Sequence, residues 1–283
     1  MLKHKIAGLL AVLILLISAT GCTNIRFTTG TGKNRFAVCG NYSISVQAAD
    51  ILISERKYSY EDLFNNEIWS RSVGDMSMEE YLLSDIKTLA GNVIYLNMMA
   101  EDMQINLTGD EEERISEYAE DYAEDSGFDK ADVEELLQML LIAEKSFYAM
   151  TEDVDTEVST DEARTISVQY MFFAVNDDVT DRMAENKASE ALQKIEDGTD
   201  FLTLAEEQSD DSIHSMEFYK GIYDKDFETA AYKLETGQVS SVVETEYGYY
   251  IIKCINDNIE SDTAKRKSEI VLKRREELFA DKF

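Results

Sequence analysis

The spacing of the apolar residues changes near residue 160 from a helical to a strand period, and that change limits the fold more than any other feature. Behind Ser77 the apolar residues recur with a period near 3.6, as in an amphipathic helix. From Ile166 to Phe172 every second residue is apolar, which is typical of a strand. The sequence therefore predicts a helical part followed by a part built on a small sheet, an α+β fold.

Several helix ends in the first part are marked by their own residues. Two pairs have the spacing of a capping box, Ser77 with Glu80 and Thr108 with Glu111. Gly127 is expected to end the second of these helices, and Asp129 to cap the next. A short strand pattern with a turn at Gly40 and Asn41 precedes them. Residues 45–150 are therefore predicted to be mostly helical.

The second part predicts helices that cover an antiparallel sheet. Alanines at 184, 188 and 191 share one side of a helix that Gly198 ends, and Asp200 is placed to cap a short helix after it. The remaining predictions are a loop at residues 209–211, a helix at 226–234, and strands at 239–243 and 249–255 around a turn at Gly248. The predicted order is β-α-α-loop-α-β-β.

The first residues have the pattern of a bacterial export signal. Lys3 and Lys5 precede an apolar run at residues 6–17, which is too short for a typical membrane span. Small residues then lead to Cys22, as in a bacterial lipobox, where the cysteine thiol is acylated. We therefore expect a signal peptide at 1–21, and a lipidated Cys22 with a polar tether at 22–35. The alternative is an ordinary signal peptide followed by a stray cysteine.

Composition excludes several classes of function. The chain has 57 acidic and 27 basic residues, so its formal net charge of -30 opposes binding to nucleic acid. The two histidines, His4 and His214, leave little basis for a zinc site or a Ser-His-Asp triad, and we predict no metal and no cofactor. Cys39 and Cys254 are either a disulfide, which export permits, or two buried thiols.

Two long strings in the second part resemble the parvulin domain of peptidyl-prolyl isomerases. The first is KASEALQKIEDGTDFLTLAEEQSDD, residues 187–211, which is similar to the parvulin helix pair and the Ser-x-Asp loop. The second is DFETAAYKLETGQVSSVVETEYGYYIIKC, residues 226–254, with the Gly-Gln-Val-Ser and Gly-Tyr-x-Ile-Ile-Lys strings that end a parvulin domain.

The layout around these strings resembles PrsA- and SurA-type foldases, in which a parvulin unit is inserted into a helical chaperone domain. The resemblance implies a helical chaperone-like domain at 36–160, a parvulin-like domain at 161–257, and a C-terminal helix at 258–283 that packs on the helical domain. The fold expected is thus α+β, with helices over a small antiparallel sheet in the inserted domain.

The resemblance also assigns site residues one position at a time. Asp211 matches the acid of the Ser-x-Asp loop, and Phe227 matches the pocket phenylalanine. Tyr250 stands where the family has its second histidine, and Met171 is placed where it has the first. Tyr223 occupies an apolar pocket position. The residues predicted to bind substrate are Phe227, Tyr223, Met171 and Phe218, and those predicted to be catalytic are Asp211 and Tyr250.

These assignments imply a foldase that acts on unfolded or partly folded exported polypeptides. Its place would be the outer face of a bacterial cell membrane, held there by the lipid on Cys22. The parvulin unit implies peptidyl-prolyl cis-trans isomerase activity with a degenerate site, since neither family histidine is present. Two alternatives stay open, a non-catalytic chaperone that binds peptides and a solute-binding lipoprotein.

Overall fold

The computed structural model describes residues 25–27 and 34–282, so the predicted signal peptide and Cys22 lie outside the described residues. The chain divides into two compact units. One holds the described residues up to Val154 together with those from Arg274 onward, and the other is Asp155–Lys273. The domain boundaries drawn from the sequence stay a prediction.

The first unit begins with a small antiparallel sheet of order β1-β2-β3. Its strands are β1 (Arg26–Phe27), β2 (Arg35–Cys39) and β3 (Tyr42–Ser45), and the predicted turn at Gly40 and Asn41 joins the last two. Part of the segment predicted as a tether is therefore folded, because Arg26 pairs with Val38 and Phe27 with Ala37.

Helices make up most of the rest of this unit. They are α1 (Val46–Phe64), α2 (Met78–Asp102), α3 (Gly109–Ser126) and α4 (Lys130–Met150). Between α1 and α2 lie a 3₁₀ helix (Asn66–Ser70) and the two-residue strands β4 (Ser72–Val73) and β5 (Met76–Ser77).

The helix ends in this unit follow the capping signals of the sequence. Both predicted capping boxes are present, with reciprocal side-chain and backbone hydrogen bonds at Ser77 and Thr108. The Asp129 carboxylate accepts from the Ala131 N–H and caps α4. Gly127 adopts φ 79° at the end of α3, a conformation that glycine reaches without a side-chain penalty. These predictions are confirmed.

The second unit contains a four-stranded antiparallel sheet in the order β7-β6-β9-β8. Its strands are β6 (Thr165–Ala174), β7 (Ser215–Tyr219), β8 (Val243–Thr245) and β9 (Gly248–Asn256). Its helices are α5 (Thr160–Ala163), α6 (Asp181–Glu196), α7 (Phe201–Gln208), α8 (Lys225–Ala231) and the first part of α9 (Glu260–Lys282). Helices over a small antiparallel sheet confirm the predicted fold class.

Two elements of this unit differ from the prediction. No strand is predicted from the sequence at residues 215–219, but β7 alternates inward-facing Met216 and Phe218 with polar residues and pairs with β6. The strand predicted at 239–243 is reduced to a single bridge from Val239 to Lys253, and β8 begins only at Val243. The turn lies at residues 246–247, and Gly248 is already the first residue of β9.

The end of α9 packs within the first unit. The ring of Phe279 is 2% exposed and meets Tyr95 and Phe147 edge-on, at centroid distances of 6.2 and 5.5 Å. The Arg275 guanidinium donates to the carbonyl and hydroxyl oxygens of Thr151. Among the described residues, every helix is too short or too polar to span a membrane.

Candidate functional site

The two central strands of the second unit, β6 and β9, turn alternate residues to opposite faces of the sheet. On one face Met171 and Ile251 lie in a core cluster with the buried alanines of α6 and with Phe201 of α7. On the other face Tyr170 and its neighbours lie in a cluster with residues of α8. The site is on this second face.

Five aromatic side chains on this face form what we call the aromatic cluster. Its members are Tyr170, Phe218, Tyr223, Phe227 and Tyr250. Phe227 is its centre, with ring centroids 6.1 Å from Tyr170, 5.8 Å from Phe218, 6.1 Å from Tyr223 and 5.1 Å from Tyr250. Most of these pairs are edge-on or tilted, as the quadrupoles of aromatic rings favour.

The loop at 209–211 is fixed to the part of β6 that β7 leaves unpaired. Strand β7 pairs with β6 only as far as Gln169. Beyond it the Ser209 hydroxyl accepts from the Phe172 N–H at 3.0 Å, and the Asp210 N–H donates to the Phe172 carbonyl at 2.8 Å. Because the loop is held by backbone groups, the position of the next residue, Asp211, is well defined.

Asp211 is bonded directly to the aromatic cluster. The Tyr170 hydroxyl donates to its carboxylate at 2.7 Å. Burial raises the pKa of Asp211, but the bonds from Tyr170 and from the N–H groups of Ile213 and Ser212, with the nearby His214, outweigh this and leave the pKa lowered. Asp211 is therefore an anion at neutral pH.

The two tyrosine hydroxyls of the site stay protonated at neutral pH. Burial and the bond to Asp211 raise the pKa of Tyr170 far above its ordinary value. Burial, followed by the charges of Asp211 and Asp224, raises the pKa of Tyr250. The site thus offers neutral phenol donors, apolar rings and one fixed carboxylate, an arrangement that can bind a polar amide against an apolar surface.

A carboxylate nest holds the segment that carries Tyr223. Glu228, on α8, accepts from the N–H groups of Gly221, Ile222 and Tyr223 at distances of 2.8 to 2.9 Å. Tyr223 then packs edge-on against Phe218 at 5.1 Å while 45% of its side chain stays exposed. The ring therefore lies between the buried part of the cluster and solvent.

The placement of Met171 at the site is corrected by the structure. Its side chain is completely buried in the core on the opposite face, beneath α6 and α7. Adjacent strand residues face opposite ways, so an offset of one position moves a side chain through the sheet. Tyr170 is the residue of β6 that contacts both Asp211 and Tyr250. Sequence reasoning missed it, although the alternation of β6 placed it on the same face as Phe172.

The structure brings together the other residues predicted for the site. One carboxylate, Asp211, is hydrogen-bonded to the cluster, and four predicted residues belong to it: Tyr250, Phe227, Tyr223 and Phe218. Their roles toward a substrate stay predictions. His214 lies in the adjoining loop, where its carbonyl accepts from the Tyr170 N–H at 2.9 Å.

Cys39 and Cys254 are both buried and both free, so of the two alternatives the structure has the buried thiols. In the part of the chain that the structure describes, no three His, Cys, Asp or Glu side chains converge as ligands for a metal ion.

Comparison with known proteins identifies the domain that holds the cluster. The family description "Rotamase: PPIC-type PPIASE domain" matches residues 170–256. The foldase protein PrsA of Clostridium acetobutylicum is 26% identical over 284 aligned positions, which cover 89% of this chain and 83% of that one. The foldase protein PrsA 3 of Bacillus anthracis is 44% identical over 75 positions, which cover 24% of this chain and 26% of the relative.

A solved PrsA structure also aligns with this chain. The crystal structure of the peptidylprolyl isomerase PrsA from Bacillus cereus aligns over 88% of this chain and 87% of its own, with 22% identity and a TM-score of 0.36. The parvulin-like domain inferred from the sequence, in a chain similar to PrsA, is confirmed by the family description and the curated relatives.

Proposed function

We propose that this chain, which carries a PPIC-type PPIase domain and resembles PrsA proteins over most of its length, is an extracytoplasmic foldase. Its substrates are unfolded or partly folded exported polypeptides. The parvulin unit binds their X-Pro bonds against the aromatic cluster and catalyses cis-trans isomerisation. The observation that carries this proposal is the bond from Tyr170 to Asp211 beside the rings of Phe227 and Tyr250.

The reaction needs no covalent step. Rotation about a peptide bond has a barrier of about 18–20 kcal/mol because of amide resonance. An enzyme lowers it by binding the twisted amide more tightly than either planar form. The rings of the aromatic cluster remove water from the amide, which opposes the charge-separated resonance form. A phenol donor such as Tyr250 can bond to the twisted amide where the family uses an imidazole.

The degenerate site predicts slow catalysis. A neutral phenol donates a hydrogen bond, but it does not carry the charge that an imidazole can take on near neutral pH. Each 1.4 kcal/mol of lost transition-state stabilisation lowers the rate about tenfold. We therefore expect measurable but weak acceleration, and a rate that does not vary with pH where histidine would titrate.

NMR exchange spectroscopy on short Ala-Xaa-Pro-Phe peptides with residues 23–283 tests this activity. Weak but measurable acceleration is expected, together with a loss of about tenfold in Tyr250→Phe, which keeps the ring and removes the donor. The matched control is Tyr247→Phe, since Tyr247 is 58% exposed and lies outside the aromatic cluster. Equal rates with and without protein at high concentration would refute the catalytic proposal.

A second candidate is the non-catalytic chaperone, and one observation favours it. Phe227 is only 3% exposed, because the other rings of the cluster already cover it. In that case the parvulin unit binds peptides at its surface without twisting them. The same spectra distinguish the two, since a peptide that shifts protein resonances without faster exchange is bound and not catalysed.

The lipid anchor on Cys22 is the part of the proposal that places the foldase at the membrane. The support is in the sequence, where a basic start and an apolar run lead to the cysteine. Two or more acyl chains hold a protein stably on a bilayer, while one alone does not. Mass spectrometry of the N-terminal peptide after expression in a bacterium tests it. A diacylglyceryl adduct on Cys22, lost in Cys22→Ser, is expected, and an unmodified thiol would contradict it.

A further inference from the structure

Two carboxylates, Asp211 and Asp224, are each hydrogen-bonded to a residue whose ring packs against Tyr250. Asp211 accepts from Tyr170, whose ring centroid is 6.1 Å from that of Tyr250. Asp224 caps α8 and accepts from the N–H of Phe227 at 3.1 Å, and Phe227 is 5.1 Å from Tyr250. Neither carboxylate is paired with a lysine or arginine among the described residues.

The field of both carboxylates reaches the phenols around the site. Burial contributes most to the raised pKa of Tyr250, and Asp211 and Asp224 follow as the charges that act on it. Asp224 also contributes, after Glu246, to the raised pKa of Tyr247, which is exposed beside the cluster. Negative charge therefore acts both on Tyr250 within the cluster and on the exposed Tyr247.

The nearby lysine and arginine side chains offset little of this charge. Lys220 bonds to Asp161 at 2.8 Å and also lies over the ring of Tyr232. Arg164 lies over the same ring and also pairs with Asp161. Lys225 follows Asp224 in the sequence and is exposed to solvent, so its charge is well screened.

We propose that this site is selective for X-Pro segments that carry lysine or arginine next to the proline, and that Asp211 and Asp224 determine this preference. The inference rests on the proposed function and adds the substrate class. An ammonium or guanidinium group beside the proline meets both carboxylates and the faces of Tyr223 and Tyr250, which attract cations. A glutamate in the same place is repelled by both.

The size of the preference follows from the charges. One pair of unit charges about 6 Å apart in water changes an equilibrium by about threefold. Two carboxylates that attract lysine and repel glutamate make the ratio of the lysine to the glutamate affinity well over tenfold before screening. Salt at 0.1 M reduces this ratio. We expect the lysine peptide to bind about tenfold more tightly than the glutamate peptide, with glutamine between them.

Three peptides, Ala-Xaa-Pro-Phe with Xaa as Lys, Gln or Glu and both ends blocked, test the proposal by NMR titration of residues 23–283 in 0.1 M salt. The decisive variant is Asp224→Asn. Asparagine caps a helix as well as aspartate does, so α8 keeps its start while the charge is lost. The ratio of lysine to glutamate affinity is expected to fall about threefold in this variant.

The control separates the local carboxylates from the net charge of -30. Glu190→Gln makes the same change of charge on α6, which covers the opposite face of the sheet. At 0.1 M salt the Debye length is about 10 Å, so this variant should leave the ratio unchanged. Equal effects of the two variants, or equal binding of the three peptides, would overturn the selectivity. If none of the peptides binds, the proposed function itself fails.

Discussion

Replacing Gly248 with alanine is expected to destabilise the second unit more than the same replacement at any other glycine of that unit. Gly248 opens β9 with φ 141°, in a region that residues with a side chain rarely adopt. A Cβ there would overlap the carbonyl oxygen of Phe173 and lie 3.1 Å from the Cα of Ala174. Both atoms belong to the backbone of β6, so no side chain can rotate away.

The magnitude has two parts. The unfavourable φ costs about 1–3 kcal/mol, and inserting a methyl group into a packed site costs about 1–3 kcal/mol. To relieve the overlap, β6 and β9 would have to separate at the end of their pairing, where Ala174 lies opposite Gly248. The expected loss is about 4 kcal/mol, which is about a thousandfold in the unfolding equilibrium.

Urea unfolding followed by circular dichroism measures the loss, and amide hydrogen exchange in β6 and β9 assigns it to this unit. The matched control is Gly198→Ala, which has φ 99° but no atom within 4 Å of the added Cβ. It should cost about 1–2 kcal/mol, from backbone strain alone. Equal stability of the two variants would mean that Gly248 makes no close contact with the backbone of β6.

Three further predictions concern other parts of the chain. Phe279→Ala removes a buried ring between Tyr95 and Phe147 and should lower the free energy of unfolding by about 3–5 kcal/mol. Urea unfolding followed by the fluorescence of Trp69 measures this loss. The control is Leu63→Ala, at a side chain 73% exposed, which should change the free energy of unfolding very little. Because the pKa of Asp211 is lowered in the folded protein, its ionised carboxylate stabilises the fold at pH values above the pKa of an aspartate in the unfolded chain, about 3.9. This stabilisation is lost as the pH falls through the lower native pKa. Carbon-detected NMR titration should therefore show a native pKa below 3.9 that rises in Tyr170→Phe, and no rise would contradict the bond between them. Cys39 and Cys254 are buried and free, and burial raises the pKa of the Cys254 thiol, so residues 23–283 should react with a thiol reagent at two positions only after unfolding. Rapid reaction of the native protein would contradict that burial.

Local signals in the sequence predicted the helix ends well, because caps depend on residues three or four positions apart. Both capping boxes, the cap at Asp129 and the left-handed Gly127 are of this kind. The buried alanines of α6 were also predictable, since a helical period placed them on one side.

The parts that were missed depend on pairing between distant segments. Strand β7 is five residues long and is stabilised by its register with β6, which the sequence of β7 alone does not reveal. The error at Met171 has the same origin, because only the register of Phe172 with Tyr250 shows which residues of β6 share a face with the site. The Glu228 nest that holds Tyr223 involves backbone N–H groups, which leave no residue pattern to recognise.

A map of where a prolyl peptide binds shows whether the aromatic cluster is the site for X-Pro segments. Titrating the Ala-Lys-Pro-Phe peptide into isotopically labelled residues 23–283 should shift the resonances of Tyr223, Phe227 and Tyr250 together, with one dissociation constant. Tyr223→Ala, which removes a ring that is 45% exposed, should weaken these shifts while leaving the rest of the spectrum folded. Shifts confined to the helices α1 to α4, with the aromatic cluster unaffected, would contradict the account, because the parvulin unit would then not be where X-Pro segments bind.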